Sequence, residues 1–183
     1  MSRPSAPSPL RYGAPAILLH WLLALMIVGA FGVGIYMADL PVSPSRLKLY
    51  NYHKWAGVAI LALSGFRLLW RLTHRTPADA PMPAWQAPVV HATHGLLYAL
   101  FFIVPLVGWA YSSAAGYPVV WFGVLALPDF VPVDKALAEA IKPWHERSAM
   151  LMAALVLLHV AGALKHQWID RDGLIGRMRF KRV

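Results

Sequence analysis

The sequence predicts an all-α membrane protein built as a four-helix transmembrane bundle, and three observations carry that prediction. Of 183 residues, 58% are hydrophobic and 14% charged, with a mean hydropathy of +0.52, which is too apolar for a soluble domain of this size. The apolar residues gather into four blocks, each long enough at about 1.5 Å rise per residue to cross a hydrocarbon core of about 30 Å. The basic residues flank these blocks, so the net charge of +9 reads as topology signals and contacts with anionic lipid. It does not read as a nucleic-acid surface.

The elements follow in order. Residues 1–10, with Pro4, Pro7, Pro9 and three serines, are expected to be a flexible tail. Residues 11–172 should form the membrane domain and residues 173–183 a basic C-terminal tail. The first span covers about residues 14–37, between Arg11 and Asp39. It is too long for a signal-peptide core and contains His20, which marks a retained helix. The second span, about residues 53–72, follows Tyr50-Asn51-Tyr52 and closes at Arg71 and Arg75. Pro77, Pro81, Pro83 and Pro88 then make an irregular connector. The third span, about residues 91–112, opens on His91 and His94 and contains Pro105, which should kink it at a cost that neighbouring helices absorb. A long interruption carries a short surface helix over residues 133–141 and is expected to be a functional loop or a cap. The fourth span, about residues 144–168, begins at Trp144 and ends at Trp168.

Four spans bring both termini to one side. That side carries eleven basic and three acidic residues and the other six and five, a net +8 against +1. The excess of Lys and Arg makes the terminal side cytoplasmic. Trp21, Trp70, Trp85 and Trp168 mark one interface, and Trp55, Trp121 and Trp144 the other.

This topology sorts the histidines by depth. His53 and His145 form an outer pair, while His20, His94 and His159 form an inner set. His145 and His159 are fourteen residues apart on one helix, within roughly 40° of the same face and about 21 Å apart along the axis. Cysteine is absent, which excludes disulfides, thiolate metal sites and covalent haem attachment. Imidazoles facing one another across a bundle suit the axial positions of a haem iron, and ionisable groups inside spans are costly and usually functional. Two b-type haems at two depths would make an electron path across the membrane. A single tetrahedral zinc or copper centre needs its ligands at one depth and does not fit. Gly29, Gly32, Gly34, Gly57 and Gly162 remove bulk where a macrocycle approaches. Lys54, Arg67 and Arg71, near the membrane faces, are candidates for haem propionates or surface charge. His74 is expected to be solvated in a connector.

The segments Leu19-His20-Trp21, Asn51-Tyr52-His53, Arg67-Leu68-Leu69-Trp70-Arg71-Leu72, His91-Ala92-Thr93-His94-Gly95 and Trp144-His145-Glu146 followed by His159 resemble the bacterial cytochrome b561 family from Arg11 onward. The resemblance implies a di-haem b protein of the bacterial inner membrane. It pairs His53 with His145 and His20 with His159, leaving His94 as a quinone-side candidate together with His166. It further implies superoxide as electron donor, oxidised outside, and ubiquinone as acceptor. Arg46, Lys48, Lys54, Lys142 and Arg147 would attract the superoxide anion. A cytochrome subunit of a hydrogenase or dehydrogenase complex, with a redox partner protein, is the alternative within the family. A haem-free transporter or structural membrane protein is the alternative outside it.

Overall fold

The computed structural model describes residues 11–180. The tail expected over residues 1–10, with Arg3, and the terminal Lys181 and Arg182 lie outside the described residues. Four long helices dominate: α1 (Ala14–Ala38), α2 (Pro44–Thr73), α3 (Gln86–Ala114) and α4 (Lys135–Lys165). Each is long and apolar enough to cross a membrane. A hairpin of β1 (Val120–Trp121) and β2 (Leu125–Ala126) lies between α3 and α4. Consecutive helices pack on one another, α1 on α2, α2 on α3 and α3 on α4.

Local chemistry sets the ends. Ser43 caps α2 by accepting the backbone N–H of Arg46 at 3.2 Å, and Pro44 stands in the first turn, where a missing N–H costs nothing. The fourth helix begins at Lys135 and not near Trp144, because the Asp134 carboxylate accepts the N–H groups of Ala136 and Leu137. The expected surface helix over residues 133–141 is thus the first part of α4. It continues through Pro143 into the span. Pro105 likewise sits inside the unbroken α3.

The polarity of the bundle is that of a protein solvated by lipid. Large apolar side chains stand outward along the spans, with Leu25 73% and Leu157 70% exposed. Such faces have no place on a soluble monomer. The buried core is small and sits mid-bundle. Leu23 and Ile27 of α1, Ile60 of α2, Leu97, Leu100 and Val104 of α3, and Met152 of α4 form one cluster. Met152 lies between His145 and His159 on α4 and Ile60 between His53 and Arg67 on α2, while the α1 and α3 members follow His20 and His94 and precede Gly34 and Gly108, so an apolar layer separates the two imidazole levels.

The loop after α3 folds over the outer end of α2. The Trp55 indole N–H donates to the Val120 carbonyl at 2.7 Å and the Trp121 indole to the Trp55 carbonyl at 3.2 Å. Consecutive left-handed residues, Phe122 (φ 51°) and Gly123 (φ 72°), turn the hairpin back.

At the inner end, residues 173–180 are not a free tail. After α4 the chain makes a π-helical turn (His166–Asp170) and a 3₁₀ turn (Leu174–Met178). Arg171 (φ 53°) and Gly173 (φ 74°), both left-handed, reverse its direction. The segment then docks beneath the bundle. The Trp21 indole donates to the Met178 carbonyl at 3.0 Å, and Arg177 donates to the Ala78 carbonyl at 2.6 Å.

Candidate functional site

The outer level is built by two copies of one arrangement. The His53 ring on α2 reaches the Ala30 carbonyl on α1 through Nδ1 at 3.0 Å. The His145 ring on α4 reaches the Val104 carbonyl on α3 through Nδ1 at 3.1 Å. A helical carbonyl is covered by the residue four positions on, and in both places that residue is glycine. A Cβ on Gly34 would stand 3.2 Å from His53 Cε1, and a Cβ on Gly108 would stand 2.8 Å from His145 Cε1. Gly34 therefore seats an imidazole and does not make room for a macrocycle, whereas Gly29, Gly32, Gly57 and Gly162 have no neighbouring atom where a Cβ would stand.

With Nδ1–H donated to a carbonyl, each neutral ring keeps its lone pair on Nε2, the form that binds a metal. The two ring centroids are 6.1 Å apart. A metal–imidazole bond of about 2.0 Å, plus about 1 Å from nitrogen to ring centre, places two opposed axial imidazoles about 6 Å apart. The outer pair fits the axial positions of a haem in spacing and in tautomer.

The inner level gathers His20 (α1), His94 (α3), His159 (α4) and Arg67 (α2). His20 and His159 have centroids 6.1 Å apart, the same separation as the outer pair, whereas His94 and His159 are 5.2 Å apart. Both rings thus lie beside His159, but only His20 stands at the axial spacing. His20 Nδ1 meets an Arg67 guanidinium nitrogen at 3.1 Å. A guanidinium only donates, so this contact puts the His20 proton on Nε2. Ligation through Nε2 requires Arg67 to release the ring, and a haem propionate is an anion to which it can turn. Arg67 and Arg71 both lie over the Tyr98 ring, at 5.7 and 5.6 Å. Lys54 is otherwise engaged, its ammonium donating to the carbonyls of Tyr117 and Pro118.

A repeat in the sequence underlies this layout. His20 and Gly34 are fourteen residues apart, as are His94 and Gly108. His53 and Arg67 repeat the same interval, as do His145 and His159. The hairpin of α1 and α2 and the hairpin of α3 and α4 thus match position for position, with Arg67 standing where the second hairpin has His159. In that correspondence His94–His159 is the counterpart of His20–Arg67, a contact within one hairpin. His20–His159 crosses between hairpins, as His53–His145 does.

Beyond His159, His166 is buried in the π turn at 4% exposure. Its Nδ1 lies 2.6 Å from the Asp172 carboxylate and 3.3 Å from Asp170, and its Nε2 lies 3.1 Å from the Gln86 amide of α3. Lys165 holds Asp170 at 2.6 Å. His91 is exposed and pairs with Asp79 at 3.3 Å. His74, exposed at the end of α2, stacks on Trp70 with centroids 3.7 Å apart. Gly108, Gln86 and Asp172 were not legible as site residues. The fourteen-residue repeat is the signal that points to Gly108, and none marks the other two, which meet His166 only through the reversal at Arg171 and Gly173.

Burial acts to raise the Asp172 carboxyl, but the Leu174 N–H, the His166 ring and the Arg177 charge outweigh it and hold the group below the usual carboxylate value. A depressed carboxylate stabilises the fold at pH above its unfolded value of about 3.9, and loses that effect as pH falls through the lower folded value. The docked C-terminal segment should therefore stay in place at neutral and mildly acidic pH and loosen only below about pH 4. Asp172→Asn should loosen it at neutral pH. Fluorescence of Trp21, whose indole holds Met178, reads both.

Four apolar helices that bring imidazoles together in pairs at two depths define a class: a multi-pass membrane protein with paired histidines in its core. The chain belongs to the prokaryotic cytochrome b561 family, whose family model matches residues 11–181. Membership brings b-type haem binding and electron transfer across the membrane. The chain is 30% identical over 175 residues to cytochrome b561 homolog 2 of Escherichia coli (strain K12), covering 93% of this chain and 92% of that protein. It is 28% identical to cytochrome b561 homolog 1 of the same organism, over 94% of this chain and 98% of that protein. It is 27% identical to the probable superoxide oxidase CybB of Yersinia pestis, over 94% of this chain and 97% of that protein.

Proposed function

We propose that the protein is a superoxide:ubiquinone oxidoreductase of the bacterial inner membrane, with both termini cytoplasmic and two haems b. The observation that carries this is the pair of imidazole levels on either side of an apolar layer, with a buried titratable histidine, His166, beyond the inner level. His53 and His145 hold the outer haem, and His20 and His159 the inner one. Bound haem supplies reversible one-electron storage at each level. Two superoxide anions give up one electron each outside and leave as dioxygen. One ubiquinone takes two electrons and two protons inside and leaves as the quinol.

The chain's own residues serve this reaction by position and charge. Lys48 and Arg147 remain exposed at the outer end and favour approach of an anion. Lys54 and Lys142 contribute less there, because Lys54 is bound to loop carbonyls and Lys142 pairs with Glu146 at 3.7 Å. The apolar layer around Leu23 and Met152 excludes water between the levels, so protons for the quinone are taken up at the inner end only. The name of the Yersinia relative supports this reading.

Stopped-flow mixing of the purified, oxidised protein with superoxide should reduce the haems within the mixing experiment, and added ubiquinone should then reoxidise them. Haems that superoxide leaves oxidised, but that a copurifying redox enzyme reduces, would replace this reading with that of an electron-transfer subunit.

A further inference from the structure

We propose that the hairpin of β1 and β2 is a lipid-seated anchor, whose apolar turn from Phe122 to Leu125 is immersed at the headgroup boundary of the outer leaflet and fixes the depth of the outer imidazole pair.

Three observations carry it. The first is composition. From Ser113 to Pro128 the chain holds no Asp, Glu, Lys or Arg. Successive side chains of a strand point to opposite faces, and a hairpin with one face in water alternates apolar with polar residues. Here Val120-Trp121 and Leu125-Ala126 make both faces apolar, and Phe122-Gly123-Val124 joins them. Val124 is 88% exposed, and Phe122 and Leu125 are exposed beside it.

The second is position around α2. The hairpin is held there by Trp55, through the two indole bonds with Val120 and Trp121 and through Phe122, whose ring lies 5.1 Å from that of Trp55. Trp55 follows His53 by two residues, about 200° round the helix, so it is turned away from the imidazole pair. Phe66 and Leu69 lie within roughly 40° of the Trp55 direction, and both are exposed. The hairpin therefore continues the lipid-facing stripe of α2 on the outside of the bundle.

The third is depth. Outward from the outer pair, α2 runs on to Pro44 and α4 to Lys135, about 13 and 15 Å of helix. These extensions carry Arg46, Lys48, Lys135, Glu139 and Lys142, the charges of a part that stands in water. Trp55 lies on the other side of His53, about 3 Å further in. The hairpin is thus held at the level of the outer imidazoles, well below the charged helix ends.

Backbone chemistry limits how far it sinks. The turn is bonded internally, Gly123 N–H to the Val120 carbonyl and Val124 N–H to the Trp121 carbonyl, each at 3.1 Å, and Leu127 N–H to the Val119 carbonyl at 2.9 Å. A two-stranded hairpin still has free edges, which hydrocarbon does not tolerate. The headgroup boundary, about 5–10 Å deep, buries apolar side chains while water reaches the backbone, and tryptophan favours that layer. Lys54 suits the same depth, since its ammonium donates to the Tyr117 and Pro118 carbonyls at the base of the hairpin.

The chain has no cysteine, so Val124→Cys places a single nitroxide in the full-length, haem-loaded protein, reconstituted in vesicles of phosphatidylcholine and phosphatidylglycerol. Power-saturation EPR compares oxygen, which partitions into lipid, with a neutral nickel chelate, which stays in water. At position 124 oxygen should relax the label several-fold more effectively than the chelate. The order should reverse for Glu139→Cys, on the exposed extension of α4. The oxygen excess should be largest for Leu151→Cys, midway between His145 and His159 on an exposed face. Chelate access at 124 equal to that at 139 would put the hairpin in water and overturn the proposal. Shielding from both reagents would overturn it too, by showing that protein, such as a second copy of the chain, covers the turn. An oxygen excess equal to that at 151 would overturn the headgroup placement. Haem content should match wild type, and Leu125→Cys repeats the measurement should Val124→Cys lose haem.

Discussion

Replacing His145 with alanine is expected to remove the outer haem and leave the inner one bound, so that haem b per protein falls to about half of the wild-type value. The geometry is specific enough to predict the same loss from a residue that ligates nothing. A Cβ on Gly108 would meet the His145 ring at 2.8 Å, well inside van der Waals contact, and the ring cannot yield without giving up its bond to the Val104 carbonyl. Gly108→Val should therefore displace Nε2 and empty the outer level, as the ligand substitution does. Gly95→Val, on the same helix with no atom near its Cβ position, should leave the haem in place. Pyridine haemochrome content per protein, with the reduced visible spectrum, reads all three variants. Full haem content in His145→Ala would refute the outer assignment.

At the inner level, His20→Ala is expected to remove the second haem, whereas His94→Ala should keep it and change the surroundings of His159. Only the His20–His159 pair matches the 6.1 Å separation of the outer pair. The 5.2 Å His94–His159 contact is the counterpart of His20–Arg67 within the other hairpin. Arg67→Ala should also tell the two apart, since it frees His20 Nδ1 and removes a partner for a propionate. Its haem should bind more weakly without being lost. Loss of the haem in His94→Ala, with retention in His20→Ala, would reverse the assignment.

Much of this architecture could be read from residue type and spacing. Four apolar blocks flanked by Lys and Arg dictate four spans, because a lipid environment penalises any backbone that is not helical and any charge that is not at an end. The histidines could be placed at two depths from the same topology, since helix rise converts sequence separation into depth. Helix ends were less legible. The start of α4 at Lys135 depends on the Asp134 cap, and the docking of residues 173–180 depends on two left-handed residues. Neither shows in a hydropathy pattern.

What the sequence by itself determined was therefore the bundle, the depth of each imidazole and the absence of any thiolate chemistry. Tertiary structure alone decided which nitrogen of each ring is free and which glycine seats which ring, and it sets His20 at 6.1 Å and His94 at 5.2 Å from His159, a choice that the sequence offered only through the family resemblance. It also brought Asp172, six residues beyond His166, and Gln86, eighty residues before it, to the same ring. The physical reason is that periodicity reports position along and around one helix. A hydrogen bond from Nδ1 to a carbonyl, or a Cβ clash at 2.8 Å, is a relation between two helices, and no spacing within either one contains it.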